Sequence, residues 1–267
     1  MDAAGSVGGF AGATSDRRDV SAAEPAEPRG SDESVAFIDL HCHTSASFDC
    51  LSDPVKVGWA AQRRGITHLA ITDHDRIDGA LRVRDGAPDG LTVIVGEEVK
   101  TAVGDLICLF LDAAVPPGLQ PAETIALVRD QGGLVGIPHP FDRHRNSMAN
   151  ATAELDALAA LVDWVEAYNA RVVFREGNER AQAFALRAGL PGVAVSDAHS
   201  LLEVGVASTR VIGDPSTPSG LLRALATAEV QPGRATYFVR GVTPFAKLVQ
   251  RARGNGRVRP VPSGGRR

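Results

Sequence analysis

Cysteine, aromatic side chains and long apolar runs are scarce in this sequence of 267 residues. The three cysteines, Cys42, Cys50 and Cys108, form no C-x-x-C pair and are too few for a disulfide framework, which favours a reducing compartment. No run approaches the ~18 apolar residues of a membrane span, and the first residues lack the apolar core of a signal peptide. We therefore expect a cytoplasmic protein that does not enter a membrane.

Basic residues are not in excess either, since 28 Lys and Arg stand against 32 Asp and Glu, for a net charge of -4. This balance argues against a protein that coats duplex DNA or an anionic membrane, although nucleic acid remains an option as a substrate. The apolar fraction of 44% supplies a sizeable core and excludes a chain that is disordered or collagen-like over most of its length. The length suits one α/β barrel of roughly 250 residues.

The two ends of the chain differ in composition from the middle. Residues 1–34 are mostly small, polar and acidic, and cannot bury enough apolar surface to offset the entropy of ordering them, so we predict a disordered tail. Residues 254–267 are basic and rich in Gly, Pro and Ser. We predict a flexible, solvated tail there, with a phosphate-binding arm as the alternative. The predicted domain spans 35–253.

Short apolar runs alternate with longer amphipathic stretches through this domain. The predicted strands are 36–40, 68–72, 91–95, 106–111, 134–137, 164–168 and 192–195, with 206–212 as an optional eighth. The predicted helices are 54–64, 76–84, 121–131, 152–162, 175–188 and 218–228. This alternation indicates a parallel sheet with helical crossovers.

A barrel and an open doubly wound sheet both satisfy this pattern. Seven or eight strands, with no Gly-rich phosphate turn after the first, favour the barrel. The third and fourth strands are separated by a short link, which predicts a hairpin instead of a helical crossover. The expected fold is therefore an α/β barrel that is distorted at this point.

Histidines and carboxylates follow the predicted strands at the point where each strand ends. Five of the seven histidines lie there, and the segments concerned are 39–44, 71–75, 96–98, 137–140 and 196–200. The carboxyl ends of parallel barrel strands open on one face, so these segments should converge. His41 and His43 are two residues apart and point to the same side of an extended chain. Imidazoles and carboxylates are ligands that Zn²⁺, Mn²⁺ and Fe²⁺ accept, so a metal site is predicted.

Together, the motifs D-L-H-C-H-T, I-T-D-H-D, G-E-E, P-H-P and S-D-A-H resemble those of the polymerase and histidinol phosphatase (PHP) family of metal-dependent phosphoesterases. The resemblance runs from about Val35 to about Gly213 and extends weakly to Phe245. It implies a distorted (β/α)7 TIM-like barrel with the active site at the carboxyl ends of the strands. The nearest likeness is to the stand-alone branch that hydrolyses nucleotide phosphates or short RNA.

The resemblance also implies two or three divalent ions, Mn, Fe or Zn, and a set of ligands for them. His41, His43, Glu98 and Asp197 would bind the first ion. Glu98 would bridge to a second ion, which His139 would bind.

The third ion would lie between Asp49, His74 and His199. Many relatives carry a histidine where this chain has Asp105. Asp105 can ligate in its place, so the resemblance leaves open whether the second site is filled.

The expected chemistry is hydrolysis by water. Water bound between two cations loses a proton near neutral pH and can attack phosphorus, and no G-x-S-x-G elbow or P-loop offers another route. Glu98 and Asp197 are the candidate catalytic ligands, and His199 is a candidate leaving-group acid if no metal holds it. Asp73 and Asp75 are expected to accept hydrogen bonds from ligand imidazoles.

Cationic and polar residues on two loops of the same face are candidates for holding the phosphate. Arg143 and His144 follow the fifth predicted strand, and Asn169 and Arg171 follow the sixth. A guanidinium there can clamp a phosphate bidentately, although arginines are also common as plain surface residues.

Four functions remain open from the residues. A phosphomonoesterase is favoured, and a 5′-3′ exoribonuclease acting on short RNA is the nearest variant, although only 5% of residues are aromatic and could stack bases. A non-catalytic metal-binding module is the third. A cyclic amidohydrolase is the fourth, but it needs a bridging lysine, and Lys100 alone lies near a strand end.

Overall fold

The protein is described from a computed structural model, which covers residues 34–142, 152–235 and 241–258. All of these belong to one unit, Asp32–Arg267. Residues 1–33 of the predicted tail, and the predicted substrate contacts Arg143 and His144, lie outside the described ranges. No helix in those ranges is both long and apolar enough to cross a bilayer.

Nine strands and seven helices make up the described fold. The strands are β1 Val35–Asp39, β2 His68–Ile71, β3 Thr92–Lys100, β4 Asp105–Leu109, β5 Leu134–Ile137, β6 Trp164–Asn169, β7 Gly192–Val195, β8 Ser208–Ile212 and β9 Glu229–Gln231. The helices are α1 Pro54–Arg63, α2 Asp78–Asp85, α3 Pro121–Asp130, α4 Thr152–Ala159, α5 Arg175–Ala188, α6 Pro218–Leu225 and α7 Val242–Ala252. The predicted α/β class is confirmed.

One sheet contains every strand, in the order β7-β6-β5-β4-β3-β2-β1-β8-β9. Strands β1 to β3 are parallel to one another, as are β5 to β7, whereas β4 is antiparallel to both of its neighbours. Just beyond β1 and β7 the ring is nearly closed, because Asp197 N donates to His41 O at 2.8 Å and His43 N donates to Ala198 O at 3.0 Å. The sheet is therefore a nearly closed, distorted barrel, as predicted.

Local sequence signals fix several helix ends. Asp53 and Thr217 cap α1 and α6 by accepting hydrogen bonds from Lys56 N and Gly220 N, and a proline follows each cap at the first helical position. Gly189 ends α5 in the left-handed region, with φ of 67°. These boundaries match the predicted ones.

Strand β3 is longer than predicted. The expected strand ended at Val95, but β3 continues to Lys100 because β4 runs back along it, with Glu98 opposite Ile107 and Lys100 opposite Asp105. The predicted hairpin is thereby confirmed. Glu98 consequently projects from within a paired strand and not from a loop after it.

Helix α7 was not predicted. Its buried positions are Ala246 and Gln250, one turn apart, whereas Phe245 and Leu248 are exposed. A polar residue at a buried position and apolar residues at exposed ones disguise the amphipathic pattern on which sequence analysis depends.

The barrel interior is filled from the strands. Ile38, Ile94, Ile107, Trp164 and Val195 belong to one buried cluster to which β1, β3, β4, β6 and β7 each contribute. Trp164 packs so closely on Gly136 that a Cβ on this glycine would lie 2.1 Å from the indole. Close packing of this kind holds the strand ends, and hence the site, in fixed positions.

Candidate metal centre

Imidazoles and carboxylates meet in one buried cluster at the carboxyl ends of the parallel strands. The members of this cluster, each at most 9% exposed, are His41, His43, Asp49, His74, Glu98, His139, Asp197 and His199. All but Asp49 come from the segments that were expected to converge, Asp49 having been implied by the family resemblance alone, and the structure brings them together. His68 lies apart, with Nε2 at 3.0 Å from Ser216 Oγ.

Two imidazoles and two carboxylates surround one point of the cluster. Nε2 of His41 lies 2.9 Å from Nε2 of His43, and these nitrogens lie 3.3 and 3.4 Å from Glu98 Oε2. Asp197 Oδ1 is 3.7 and 3.6 Å from the same two nitrogens. Ligands about 2.0–2.1 Å from a tetrahedral metal are about 3.3 Å from one another, so these atoms have the spacing of a ligand set.

A second group lies beside the first. Asp49 Oδ2 is 3.5 Å from His74 Nε2 and 3.4 Å from His199 Nε2, and a nitrogen of each of His43, His74 and His199 lies within 4.8 Å of the others. Asp49 Oδ1 is buried and has no hydrogen-bond partner in the described part of the chain. An unsatisfied buried oxygen among imidazoles is the arrangement expected where a cation completes the site.

Glu98 connects these groups to the fifth histidine of the cluster, His139. Its Oε2 is 3.1 Å from His74 Nδ1, and its Oε1 is 3.3 Å from His139 Nε2. One carboxylate thus faces imidazoles on both of its oxygens, which is the geometry of a bridging ligand.

The electrostatics of the cluster suit cations. Burial and the neighbouring His199 lower the pKa of His43 well below its usual range, and burial together with Arg171 lowers the pKa of His199 to about 4. Burial acts to raise the pKa of Glu98, but the charges of His74 and His41 outweigh it and bring that pKa well below the usual range. Neutral imidazoles and ionised carboxylates are the forms that bind metal.

His41 and His74 differ from His43 and His199, because neighbouring carboxylates raise the pKa of both; for His74 these are Glu98 and Asp49. At His41, burial acts to lower the pKa, but the carboxylates of Glu166 and Glu98 outweigh burial and raise the pKa to about 10. The cluster therefore favours a positive charge at His41, beside the point where its Nε2 meets that of His43.

Glu166 was missed by sequence analysis. Its Oε1 accepts from His41 Nδ1 at 2.6 Å, and its Oε2 accepts from His139 N and from Asn169 Nδ2, each at 2.9 Å. A carboxylate accepting from the far nitrogen of a metal-binding imidazole fixes its tautomer and orientation. The one signal for Glu166 was its position as the lone carboxylate in an otherwise uncharged strand, β6.

Asn169 differs from its predicted position as a substrate contact. It is 1% exposed, and its Nδ2 donates to Asp197 Oδ2 at 2.9 Å as well as to Glu166. Its amide thus holds two carboxylates in place behind the cluster.

Asp73 supports His43 through an intermediary. His43 Nδ1 lies 3.0 Å from Ser47 Oγ, which donates to Asp73 Oδ1 at 2.7 Å, and Thr44 donates to Asp73 from both N and Oγ1. The expected role of Asp73 as an acceptor behind a ligand therefore holds by way of Ser47.

Asp75 and Asp105 contact a residue from the far end of the chain. Arg257 Nε donates to Asp75 Oδ2 at 2.8 Å, and Arg257 Nη2 donates to Asp105 Oδ1 at 3.0 Å. This corrects the expectation that Asp75 accepts from an imidazole, and within the predicted solvated tail Arg257 is only 22% exposed. Asp105, the candidate ligand in place of a histidine, is engaged by a guanidinium.

A pocket of about 660 Å³ opens onto the cluster. Its cationic lining consists of Arg171, Lys247 and Arg257. Arg171 Nη2 donates to Thr243 Oγ1 of α7 at 2.7 Å, and Lys247 Nζ lies 4.0 Å from Asp49 Oδ2. The volume is in the range of small-molecule sites.

Backbone strain accompanies the site. Asp75, His139 and Asp197 have φ values of 57°, 26° and 52°, and Phe110 is the one other non-glycine residue with positive φ among the described residues. Such conformations are costly and persist where the surroundings over-determine them, as they do at functional sites.

Family models match this chain over the same segments. The model for the PHP domain matches residues 39–171, and the model described as PHP-associated matches residues 175–230. The chain belongs to the PHP domain family, so the resemblance seen in the motifs is confirmed. Both matches end before α7 and Arg257.

Curated relatives include an uncharacterised protein of Methanocaldococcus jannaschii, 34% identical over 143 residues, which are 49% of this chain and 81% of that protein. The error-prone DNA polymerase of Cutibacterium acnes is 38% identical over 81 residues, 30% of this chain and 7% of the polymerase.

Solved structures share the fold. A two-domain protein of Bacteroides vulgatus, described as containing a predicted PHP-like metal-dependent phosphoesterase, has a TM-score of 0.64 at 19% identity, over 78% of this chain and 70% of that one. An amidohydrolase of Chromobacterium violaceum with bound sulfate and no metal has a TM-score of 0.53 at 18% identity, over 73% and 98%. At these identities the likeness shows the fold alone.

Proposed function

We propose that the protein is a metal-dependent phosphoesterase that hydrolyses a small phosphomonoester, such as a nucleotide, nucleoside bisphosphate or sugar phosphate, with water as the nucleophile. The observation that carries the proposal is the convergence of three imidazoles, from His41, His43 and His74, within 3.4 Å of one oxygen of Glu98. The pocket on this cluster carries cationic side chains suited to an anionic substrate.

The cluster fits divalent cations in donor type, spacing and charge. His41, His43, Glu98 and Asp197 would hold one, and Asp49, His74 and His199 another. Mn, Fe or Zn bound there would neutralise phosphate oxygens and lower the pKa of a water molecule.

The chain's own residues prepare this site for ligation. Glu166 keeps the proton of His41 on Nδ1 and so presents Nε2 to the cluster, and Ser47 and Asp73 do the same for His43. His199 has a pKa of about 4 and lies against Asp49, so it carries no proton to give at neutral pH and suits the role of a ligand better than that of an acid.

Arg171 and Lys247 would hold the phosphate. The guanidinium of Arg171 is fixed by Thr243 and by Glu203, whose Oε1 is 3.4 Å from Arg171 Nε. Lys247 is 53% exposed and can follow the substrate. A phosphate bound between them would face the cluster, and charge-assisted hydrogen bonds would orient it.

The pocket favours a small ester over an oligonucleotide. Phe48 is the one Phe, Tyr or Trp among the described lining residues, so the pocket offers little for stacking successive bases. Lys247 Nζ and Arg257 Cζ lie 5.4 and 5.8 Å from the centre of the Phe48 ring.

A cyclic amidohydrolase is the second candidate because a structure described as an amidohydrolase shares the fold. Lys100, the nearest lysine to a strand end, does not line the described part of the pocket, which disfavours this candidate.

The test combines metal analysis with a substrate screen. We expect the purified full chain to retain Mn, Fe or Zn and to release phosphate from p-nitrophenyl phosphate and from nucleoside bisphosphates. This release should be faster than the release of nucleotides from 5′-phosphorylated oligoribonucleotides. His41→Ala and Asp197→Ala should abolish turnover, and Lys56→Ala, an exposed change on α1, should not. Retained metal without turnover of any phosphoester would refute the proposal, and opening of a cyclic amide would establish the second candidate.

A further inference from the structure

Arg257 occupies one side of the pocket as the partner of two buried carboxylates. The side chains of Asp75 and Asp105 are 0% and 4% exposed, and each lies within 3.0 Å of a guanidinium nitrogen. Two ionised carboxylates facing one point out of water require a cation between them. The guanidinium supplies it.

The backbone fixes both carboxylates where they stand. Asp75 has a positive φ, and its Oδ1 accepts from Lys100 N at 2.8 Å. Asp105 begins β4 and pairs with Lys100 across the hairpin. Both carboxylates are therefore positioned by the backbone around them as well as by Arg257.

The segment that carries Arg257 is built into the fold. Asn255 Nδ2 donates to Ala46 O at 3.0 Å, and Asn255 Oδ1 accepts from Arg76 Nη1 at 3.0 Å. In α7, Gln250 Nε2 lies 2.7 to 3.0 Å from three carbonyl oxygens of the loop that bears Asp49, those of Ser45, Ser47 and Cys50, and its two hydrogens are shared among them.

We propose that the guanidinium of Arg257 is a built-in cation on the Asp75–Asp105 side of the pocket, in the place of a divalent ion. The site then holds two divalent ions, one on each group of ligands described above. With Asp105 engaged by Arg257, Glu98 Oε1 and His139 Nε2 are left as a pair on that side, 3.3 Å apart. This inference rests on the proposed function only in taking the cluster as a metal centre.

The experiment counts ions in the full chain. Each protein is loaded with Mn²⁺, dialysed, and measured for metal per chain by mass spectrometry. We expect two ions in the wild type, three in Arg257→Met, and two in Arg257→Lys, which keeps the charge. The matched control is Arg253→Met, an exposed arginine of the same segment, with two.

A double variant assigns the extra ion. In Asp105→Asn/Arg257→Met the count should return to two, since the carboxylate that would bind the third ion is gone. Thermal unfolding provides a second readout: Mn²⁺ should raise the Tm of Arg257→Met more than that of the wild type. A wild-type count other than two, or a count of two in folded Arg257→Met, would overturn the inference.

The wild-type count is decisive even where Arg257→Met does not fold. It is also measured without turnover. An inactive protein with these counts would refute the proposed phosphoesterase and leave the role of Arg257 standing. An active wild type with three ions would support the phosphoesterase and refute the role of Arg257.

Discussion

The two sides of the pocket differ in the chain segments that form them and in how their buried carboxylates are neutralised. On one side, His41, His43 and Asp197 come from segments that directly follow β1 and β7, and imidazoles stand among carboxylates. On the other side, Asp75 and Asp105 meet Arg257, which lies 182 and 152 residues further along the chain. Local motifs build the first side, and long-range packing of α7 and the segment after it builds the second.

This difference separates two ways of balancing buried negative charge. On the imidazole side the positive charge is exchangeable, because an imidazole can lose its proton and bind a cation instead, so this side can take up and release ions. The arginine side carries a permanent positive charge, because a guanidinium does not lose its proton in proteins.

The largest expected effect comes from the residue shared by the ligand groups. Glu98→Gln should reduce phosphate release by on the order of 10³-fold or more and should lower the metal content, because an amide cannot bridge cations as a carboxylate does. Steady-state kinetics and metal analysis check both.

Its matched control is the neighbouring residue on the opposite face of β3. Burial raises the pKa of Glu97 to about 8, and its Oε2 accepts from Val115 N at 2.8 Å, so Glu97→Gln keeps both the charge state and the hydrogen bond at neutral pH. Equal losses in the two variants would mean that the cluster is merely structural.

An intermediate effect is expected from the carboxylate behind His41. Glu166→Gln should weaken metal binding by about 10–100-fold, because a neutral amide accepts from His41 Nδ1 more weakly than a carboxylate and makes the imidazole a poorer ligand. Competition with a fluorescent chelator measures this affinity, with the exposed Glu179→Gln on α5 as control. Unchanged affinity would show that Glu166 does not orient the ligand.

The smallest effect should fall on the cationic rim. Lys247→Met is expected to raise KM by a few-fold with kcat nearly unchanged. An exposed charge pair contributes ~1 kcal/mol or less, which corresponds to a change of this size. The increase should shrink at high salt, because the side chain is half exposed. A fall in kcat with KM unchanged would instead place Lys247 at the reacting phosphate.

Much of the first side could be read from sequence, and the reason is physical. In a parallel barrel the residue after each strand has only one face to occupy, so histidines and aspartates at those positions must meet. The hairpin between β3 and β4 was also accessible, since a short link leaves no room for a crossover helix. The full length of β3 could not be predicted, because its pairing with β4 extends the strand to Lys100.

The second side was not predictable for the same kind of reason. Nothing near Arg257 in the chain signals that it leaves solvent, and only the packing of α7 brings it to Asp105. Glu166 was missed, and Asn169 was taken for a substrate contact, because hydrogen bonds to residues distant in sequence decide whether a polar group faces a substrate or supports a ligand.

The backbone hydrogen bonds that nearly close the barrel lie beside the metal-ligand cluster. The backbone bonds that join the two ends of the parallel arrangement run between His41 and Asp197 and between His43 and Ala198, beside the ligand side chains themselves. An ion bound there would link the segment after β1 to the segment after β7, which lie far apart in the sequence, and would stabilise the closed ring. Stripping the protein with EDTA should therefore speed amide hydrogen exchange at His43 and Asp197 first, while the amides of the β3–β4 hairpin keep their protection.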